Sequence, residues 1–338
     1  MAAGVHGGEE PSRGERSDRA APLGGEGGGE LLADTGGGGG GGSGEAAEHR
    51  RPVSSSWRGR EAPEAVAEAR VADGRFDDRL LSPRECWEKL GEGSFGKVYK
   101  ARMLGTTVAV KRANTSRKAD RRDALLRDIY YLSELPMPNV VRYLGAFTRD
   151  GGLYCVMEYL RYSLRDRHTV NEVDLVAVLA DVARAVTQLH AAGHVHRDVK
   201  ARNVLVTADL QTAKLADFGL ARPLEGSDTG ERPMTPRVGP RKYRAPEVEE
   251  GQPYGPPCDV YSFGVMVLQV LEQRRVLGAQ DEEDARFLAR LAGRCTRRDP
   301  GTRPAAVQVL AAICRYLGYP PPVEEPPESP PPAAEAAA

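Results

Sequence analysis

The hydrophobic period of this chain changes once, so it must build two parts on different plans. Between about 96 and 159 the apolar residues alternate in "KVYKARM", "TTVAVKRA", "VVRYLGAF" and "LYCVMEYL", which predicts strands. Leu104-Gly105 supplies a turn between the first two. A run with paired charges from Arg121 to Leu135 interrupts the strands and reads as a helix. Further on, Leu175, Val178, Leu179, Val182, Val186 and Leu189 recur at helical spacing, with Asn171 and Asp174 as capping residues and Gly193 as a stop. "CDVYSFGVMVLQVL" is apolar nearly all round, which predicts a helix buried in a large core. A small strand-rich lobe therefore precedes a larger helical one.

The flanks are of another kind. Residues 1–83 are rich in Gly, Glu, Ala and Arg and include seven consecutive glycines, Gly36 to Gly42. Such a stretch buries too little apolar area to offset its ordering entropy, so disorder is expected, with "EAPEAVAEARVA" as at most a short, weakly apolar helix. Residues 319–338 are Pro-rich and acidic, hence extended; they could dock in a partner's aromatic groove, though a solvated tail is the plainer reading. The globular region is 84–318, divided into a small lobe at 84–159 and a large lobe at 160–318.

The 47 basic and 48 acidic residues leave a net charge of −1, which argues against a nucleic-acid binder or a polybasic membrane arm. The five cysteines are widely spaced without C-x-x-C, so neither a disulfide framework nor a zinc ribbon is expected. No leader-like apolar stretch opens the chain, and no window approaches the ~18 apolar residues of a membrane span. The expectation is a soluble protein of a reducing compartment, cytosolic or nuclear.

"GEGSFGKVYK" sets Gly91, Gly93 and Gly96 in G-x-G-x-x-G spacing around Glu92, Ser94 and Phe95. Glycines let backbone N–H groups approach phosphates closely. A dinucleotide fold would open into a helix after this pattern, whereas here strand-like "KVYKA" and "TVAVK" follow, which fits a hairpin over a triphosphate better. Lys111 ends that second strand. An isolated lysine there is ordinarily a surface residue; fifteen residues after Gly96, it stands where a phosphate-binding cation is needed.

The glycine loop, "VAVK", "HRDVKARN", "DFGLA", "RAPEV", "DVYSFG" and "DPGTRP" occur in the order of the eukaryotic protein kinase superfamily, which this chain resembles over about 84–318. The wording is most similar to the tyrosine-kinase-like group, whose members mostly phosphorylate Ser and Thr. The resemblance implies a two-lobed α+β kinase fold. The small lobe would be an antiparallel sheet plus one helix, and the large lobe mainly α-helical. It also implies an ATP- and Mg²⁺-dependent enzyme acting on protein substrates. On it, Asp198 resembles the residue that orients the acceptor hydroxyl and takes its proton, and Lys200 the cation that balances the transferring phosphoryl group. Asn203 and Asp217 resemble Mg²⁺ ligands, and Lys111 the lysine on the α- and β-phosphates. Val98, Ala109 and Leu205 would sandwich the adenine, with Met157 as gatekeeper and Glu158 and Leu160 as hinge. Glu247 and Arg303 would form a structural ion pair, and Asp259 would hold the catalytic loop.

Three departures stand out. Asp128 occupies the position of the small-lobe glutamate that pairs with Lys111, and is one methylene shorter. The stretch 271–295 is short by about one helix. Lys200 is the Ser/Thr-type choice, while Arg202, Pro240 and Lys242 resemble tyrosine kinases. Ser/Thr specificity is the expectation; the alternatives are tyrosine or dual specificity, or a catalytically weak scaffold of the same shape. Thr235 is a candidate phosphosite that would order its loop through Arg197.

Overall fold

In β3 (Thr106–Ala113), strand alternation divides the side chains between two cores: Val108 and Val110 enter one cluster, Ala109 and Ala113 the other. That parity puts Lys111 on the face of Ala109 and Ala113, toward the large lobe. The structure is a computed structural model and describes residues 62–93, 96–113, 119–224, 238–277 and 282–322, the side chains of 119, 120 and 277 excepted. All of them belong to one unit, Pro52–Ala338.

α1 (Pro63–Ala72) comes first, followed by β1 (Glu88–Gly93), β2 (Gly96–Met103), β3, α2 (Ala119–Glu134), β4 (Tyr143–Arg149) and β5 (Gly152–Glu158). The five strands form one antiparallel sheet in the order β1-β2-β3-β5-β4. At the hairpin between β1 and β2, Gly96 has φ +141°, and a Cβ there would lie 2.2 Å from the Arg112 carbonyl oxygen. α2 lies against the inner face of the sheet, with Leu125, Asp128, Ile129 and Leu132 all buried.

The large lobe contains β6 (Tyr162–Ser163), α3 (Arg167–Glu172), α4 (Leu175–Ala191), β7 (His194–Val195), β8 (Val204–Val206), β9 (Ala213–Leu215) and β10 (Arg222–Pro223). It is completed by α5 (Pro246–Glu249), α6 (Pro257–Leu277), α7 (Glu282–Cys295) and α8 (Ala306–Tyr316). α4 buries Leu175, Val178, Leu179, Val182, Val186 and Leu189, and Asp174 caps it by accepting from Ala177 N. The expected two-lobed α+β architecture is thus observed.

Two expectations need correction. Order begins well before residue 84: α1 packs on α2 and β4, through Ala67 in the core and ion pairs Glu64–Arg127 (2.6 Å), Glu68–Arg122 (3.0 Å) and Arg70–Glu134. The small lobe therefore carries two helices. Phe76 then stacks on Phe147 at 5.7 Å and covers Gly145 so closely that a Cβ there would lie 2.0 Å from its ring. The helix is too weakly apolar to announce itself, because charge pairs do much of its docking. α6 is also not buried all round: Met266, Val267 and Val270 are buried, but Leu268 and Val276 are 41% and 63% exposed. That flank has no cover among the described residues.

Candidate active site

A cleft of about 440 Å³ lies between the sheet and the large lobe. Gly91, Glu92, Gly93, Gly96, Val98, Ala109, Lys111 and Asp128 line it from the small lobe, and Met157 and Glu158 at the end of β5, with Leu160 just beyond it, from the connection between the lobes. Lys200, Asn203, Leu205 and Asp217 line it from below. Ser94, Phe95 and Thr235 lie outside the described residues, as do 1–61 and the Pro-rich segment from 323 on.

Lys111 Nζ donates to Asp128 Oδ2 and, at 2.6 Å, to Asp217 Oδ1. Asp128 Oδ1 accepts from Phe218 N at 2.6 Å, so this short carboxylate ties α2 to both the lysine and the Asp217–Gly219 turn. Burial would lower the Lys111 pKa, but Asp128 and Asp217 outweigh it and raise it, keeping the ammonium charged. Burial likewise raises Asp128, whereas at Asp217 the lysine overcomes burial and lowers it.

Asp198 is buried and does not itself line the cleft. It sits behind Lys200 and Asn203, its Oδ2 accepting from Lys200 Nζ at 2.6 Å and from Asn203 Nδ2 at 2.9 Å. Asn203 Nδ2 also donates to the Asp198 carbonyl at 3.0 Å, which turns the amide nitrogen toward the aspartate and leaves Oδ1 as its other end. Asp198 Oδ1 is buried with no hydrogen-bond partner among the described residues. Burial raises Asp198 to about 6, against the opposing pull of Lys200.

The loop bearing Asp198 is held from α6. The buried Asp259 accepts from His196 N (2.8 Å), Arg197 N (2.7 Å) and His190 Nε2 (2.9 Å). Arg197 and Asp217 sit at φ +65° and +68°, conformations costing about 1–3 kcal/mol each for residues other than glycine. The Asp259 bond fixes the first, and the Lys111 pair anchors the second. The Arg197 guanidinium donates to Leu220 O (2.7 Å) and Tyr254 OH (2.9 Å). His196 packs edge-on against Phe218, with 4.7 Å between ring centroids, and Tyr131 stacks on the same ring at 5.8 Å.

No cluster of three or more His, Cys, Asp or Glu side chains suited to a metal exists among the described residues. Asn203 and Asp217 instead share the cleft, joined by a backbone bond from Ala216 N to Asn203 O (2.9 Å). Two hard oxygen donors open to a ligand suit Mg²⁺, which keeps waters and shares substrate phosphates.

Sequence reasoning missed Arg127, whose Nε donates to Gly219 O at 2.8 Å while its Nη1 reaches Glu64 of α1. Without α1 in view, Arg127 had no partner that could have singled it out. It also missed Lys214, which pairs with Glu158 at 2.6 Å.

Residues 85–299 match the family of protein kinase domains. A probable serine/threonine-protein kinase of Dictyostelium discoideum is 35% identical over 204 residues, 57% of this chain and 38% of that protein. A second one from the same organism is 28% identical over 271 residues, 72% of this chain and 28% of its own length. The serine/threonine-protein kinase VIK of Arabidopsis thaliana is 36% identical over 196 residues, 54% of this chain and 44% of that protein. The matches span less than half of each of these relatives. With most of its length matched and its cleft built between a five-stranded sheet and a helical lobe, the chain belongs to the protein kinase domain family.

Proposed function

We propose that the chain transfers the γ-phosphoryl group of ATP to Ser or Thr hydroxyls of protein substrates, with Mg²⁺. The observation that carries this reading is the unpartnered, buried Asp198 Oδ1, in a carboxylate whose other oxygen is taken by Lys200 and Asn203. Asp198 accepts the proton as the acceptor oxygen bonds to the γ-phosphorus and the bond to the β-phosphate oxygen breaks, leaving ADP. Lys111 meets the α- and β-phosphates, and Lys200 balances the charge of the group in transit. Mg²⁺, when bound through Asn203 and Asp217, neutralises phosphate charge. Asp128 positions Lys111. Val98, Ala109 and Leu205 enclose the base, with Met157, Glu158 and Leu160 along its edge and the glycine loop, including Ser94 and Phe95, above the phosphates.

Serine/threonine kinase is what the names of the relatives print, and Lys200 beside Asp198 agrees with it. Resemblance to the tyrosine-kinase-like group, whose members mostly phosphorylate Ser and Thr, points the same way; the alternative, tyrosine or dual specificity, rests on Arg202, Pro240 and Lys242. We also read Thr235 as a phosphosite acting through Arg197, the catalytic unit as ending near 318, and the Pro-rich tail as a ligand for an aromatic groove. All five cysteines are free, which suits a reducing compartment, cytosolic or nuclear. Among the described residues no helix is long and apolar enough to cross a membrane.

The test is phosphoamino-acid analysis of a generic protein substrate after incubation with labelled ATP and Mg²⁺, with Asp198→Ala as control. Phosphoserine and phosphothreonine are expected. Phosphotyrosine alone would overturn the specificity, and incorporation equal to the control would overturn the enzyme.

A further inference from the structure

The rim of the cleft is unevenly charged. Arg161 and Arg165 follow the strand that joins the lobes, and Arg202 sits in the 3₁₀ turn Ala201–Asn203, between Lys200 and Asn203. All three are exposed and line the cleft. Arg202 lies beneath the glycine loop, 3.8 Å from where a Cβ on Gly91 would stand. Lys242 and Arg241 extend the same charge along the turn Arg241–Tyr243, which leads into α5.

None of Arg161, Arg165, Arg202 and Lys242 has an ion-pair partner among the described residues, and Arg241 reaches Glu249 only at 3.7 Å. Three nearby carboxylates are paired with other cations: Glu158 with Lys214 (2.6 Å), Glu92 with Lys89 (2.8 Å) and Glu249 with Arg244. Asp166, which also lines the cleft, accepts from Ser163 N (3.2 Å) and is the acidic exception among the rim's cations. Elsewhere some exposed arginines, such as Arg79, Arg275 and Arg298, hold carboxylates and others, such as Arg290, Arg294 and Arg315, have no ion pair among the described residues. What distinguishes Arg161, Arg165 and Arg202 is that they line one opening together. Exposed, unneutralised cations around one opening raise the local concentration of anions.

We propose that this rim is a docking groove for an acidic peptide: the substrate carries Asp or Glu beside its acceptor hydroxyl, met by Arg165 and Arg202. The proposal rests on the kinase reading and names the substrate class of the same site. Arg202 lines the cleft next to Asn203, whose Nδ2 donates to Asp198 Oδ2 at 2.9 Å, so a chain bringing a hydroxyl to Asp198 would run close to it. Carboxylates on that chain supply the partners that the rim lacks.

The experiment compares peptides sharing one acceptor Ser, flanked by Glu, Gln or Lys, with ATP kinetics measured in parallel. The full chain is expected to use the Glu-flanked peptide about tenfold better in kcat/KM than the Gln-flanked one, and the Lys-flanked one worst. The gap should narrow at high salt. Charge reversal (Arg165→Glu with Arg202→Glu), or the milder Gln pair, should abolish that ratio while KM for ATP stays within twofold. Equal use of Glu- and Gln-flanked peptides overturns the proposal, as does a ratio surviving the substitutions. A rise in KM for ATP with the ratio intact gives these cations to the nucleotide and overturns it as well. Tenfold preference for a phosphoserine-flanked peptide over the Glu-flanked one overturns the choice of carboxylate. If the full chain phosphorylates none of the peptides, nor a generic protein, above the Asp198→Ala level, the kinase reading itself has failed.

Discussion

In its proposed role as base, Asp198 is set by opposing forces: burial lifts it to about 6, and Lys200 restrains the rise. A carboxylate must be ionised to take a proton, so kcat/KM should fall about tenfold per pH unit below 6. Because Lys200 lowers the Asp198 pKa, Lys200→Ala should move this acid limb upward as well as slowing turnover, which a pH–rate profile reads directly. Asp198→Asn should cost on the order of 10²–10⁴ in turnover, measured with labelled ATP. At Asp128, truncation to Ala leaves a buried ammonium short of a partner and frees Phe218 N. A loss of about 3–5 kcal/mol is expected, seen in denaturant unfolding. Asp128→Glu adds a methylene at a 1% exposed position and should cost about 1–3 kcal/mol.

α1 sets the limit of what a sequence reading can reach. β3 and α4 were legible because their apolar periods are strong: alternation put Lys111 on the inner face, and helical spacing marked the buried stripe of α4. α1 was foreseen as at most a marginal helix, because three of its docking contacts are ion pairs whose partners lie more than fifty residues away. Local pattern carries no trace of such distant partners. The same blindness hid Arg127, which runs from Glu64 to the carbonyl of Gly219 next to Asp217. Glu64→Ala should therefore loosen that turn and lower kcat/KM for phosphotransfer beyond any loss of thermal stability. Phe76→Ala should cost roughly 2 kcal/mol, being half-buried against Phe147 and Gly145. The exposed flank of α6 was misread for a related reason: an all-apolar helix announces burial, but what covers each side depends on elements the sequence does not supply nearby.

Over the whole molecule, the large lobe depends on one enclosed ion pair. Arg303 donates to both oxygens of Glu247 at 2.7 and 2.8 Å and to the carbonyls of Arg297, Arg298 and Pro257. Arg303→Ala strands a carboxylate that is 4% exposed, so stability should drop by about 3–5 kcal/mol. A scanning calorimeter should then record a melting point lower by roughly 10 °C. The motif order made this pair foreseeable, whereas the bonds to three backbone carbonyls could come only from the fold.

Family likeness begins at residue 85, yet the buttress behind the cleft begins at 63. A gene rearrangement joining at the recognised edge would inherit every described group that lines the cleft and leave behind the strut that steadies them. The heritable unit of this kinase domain is accordingly wider than its signature, and its leading edge is written in charge rather than in grease.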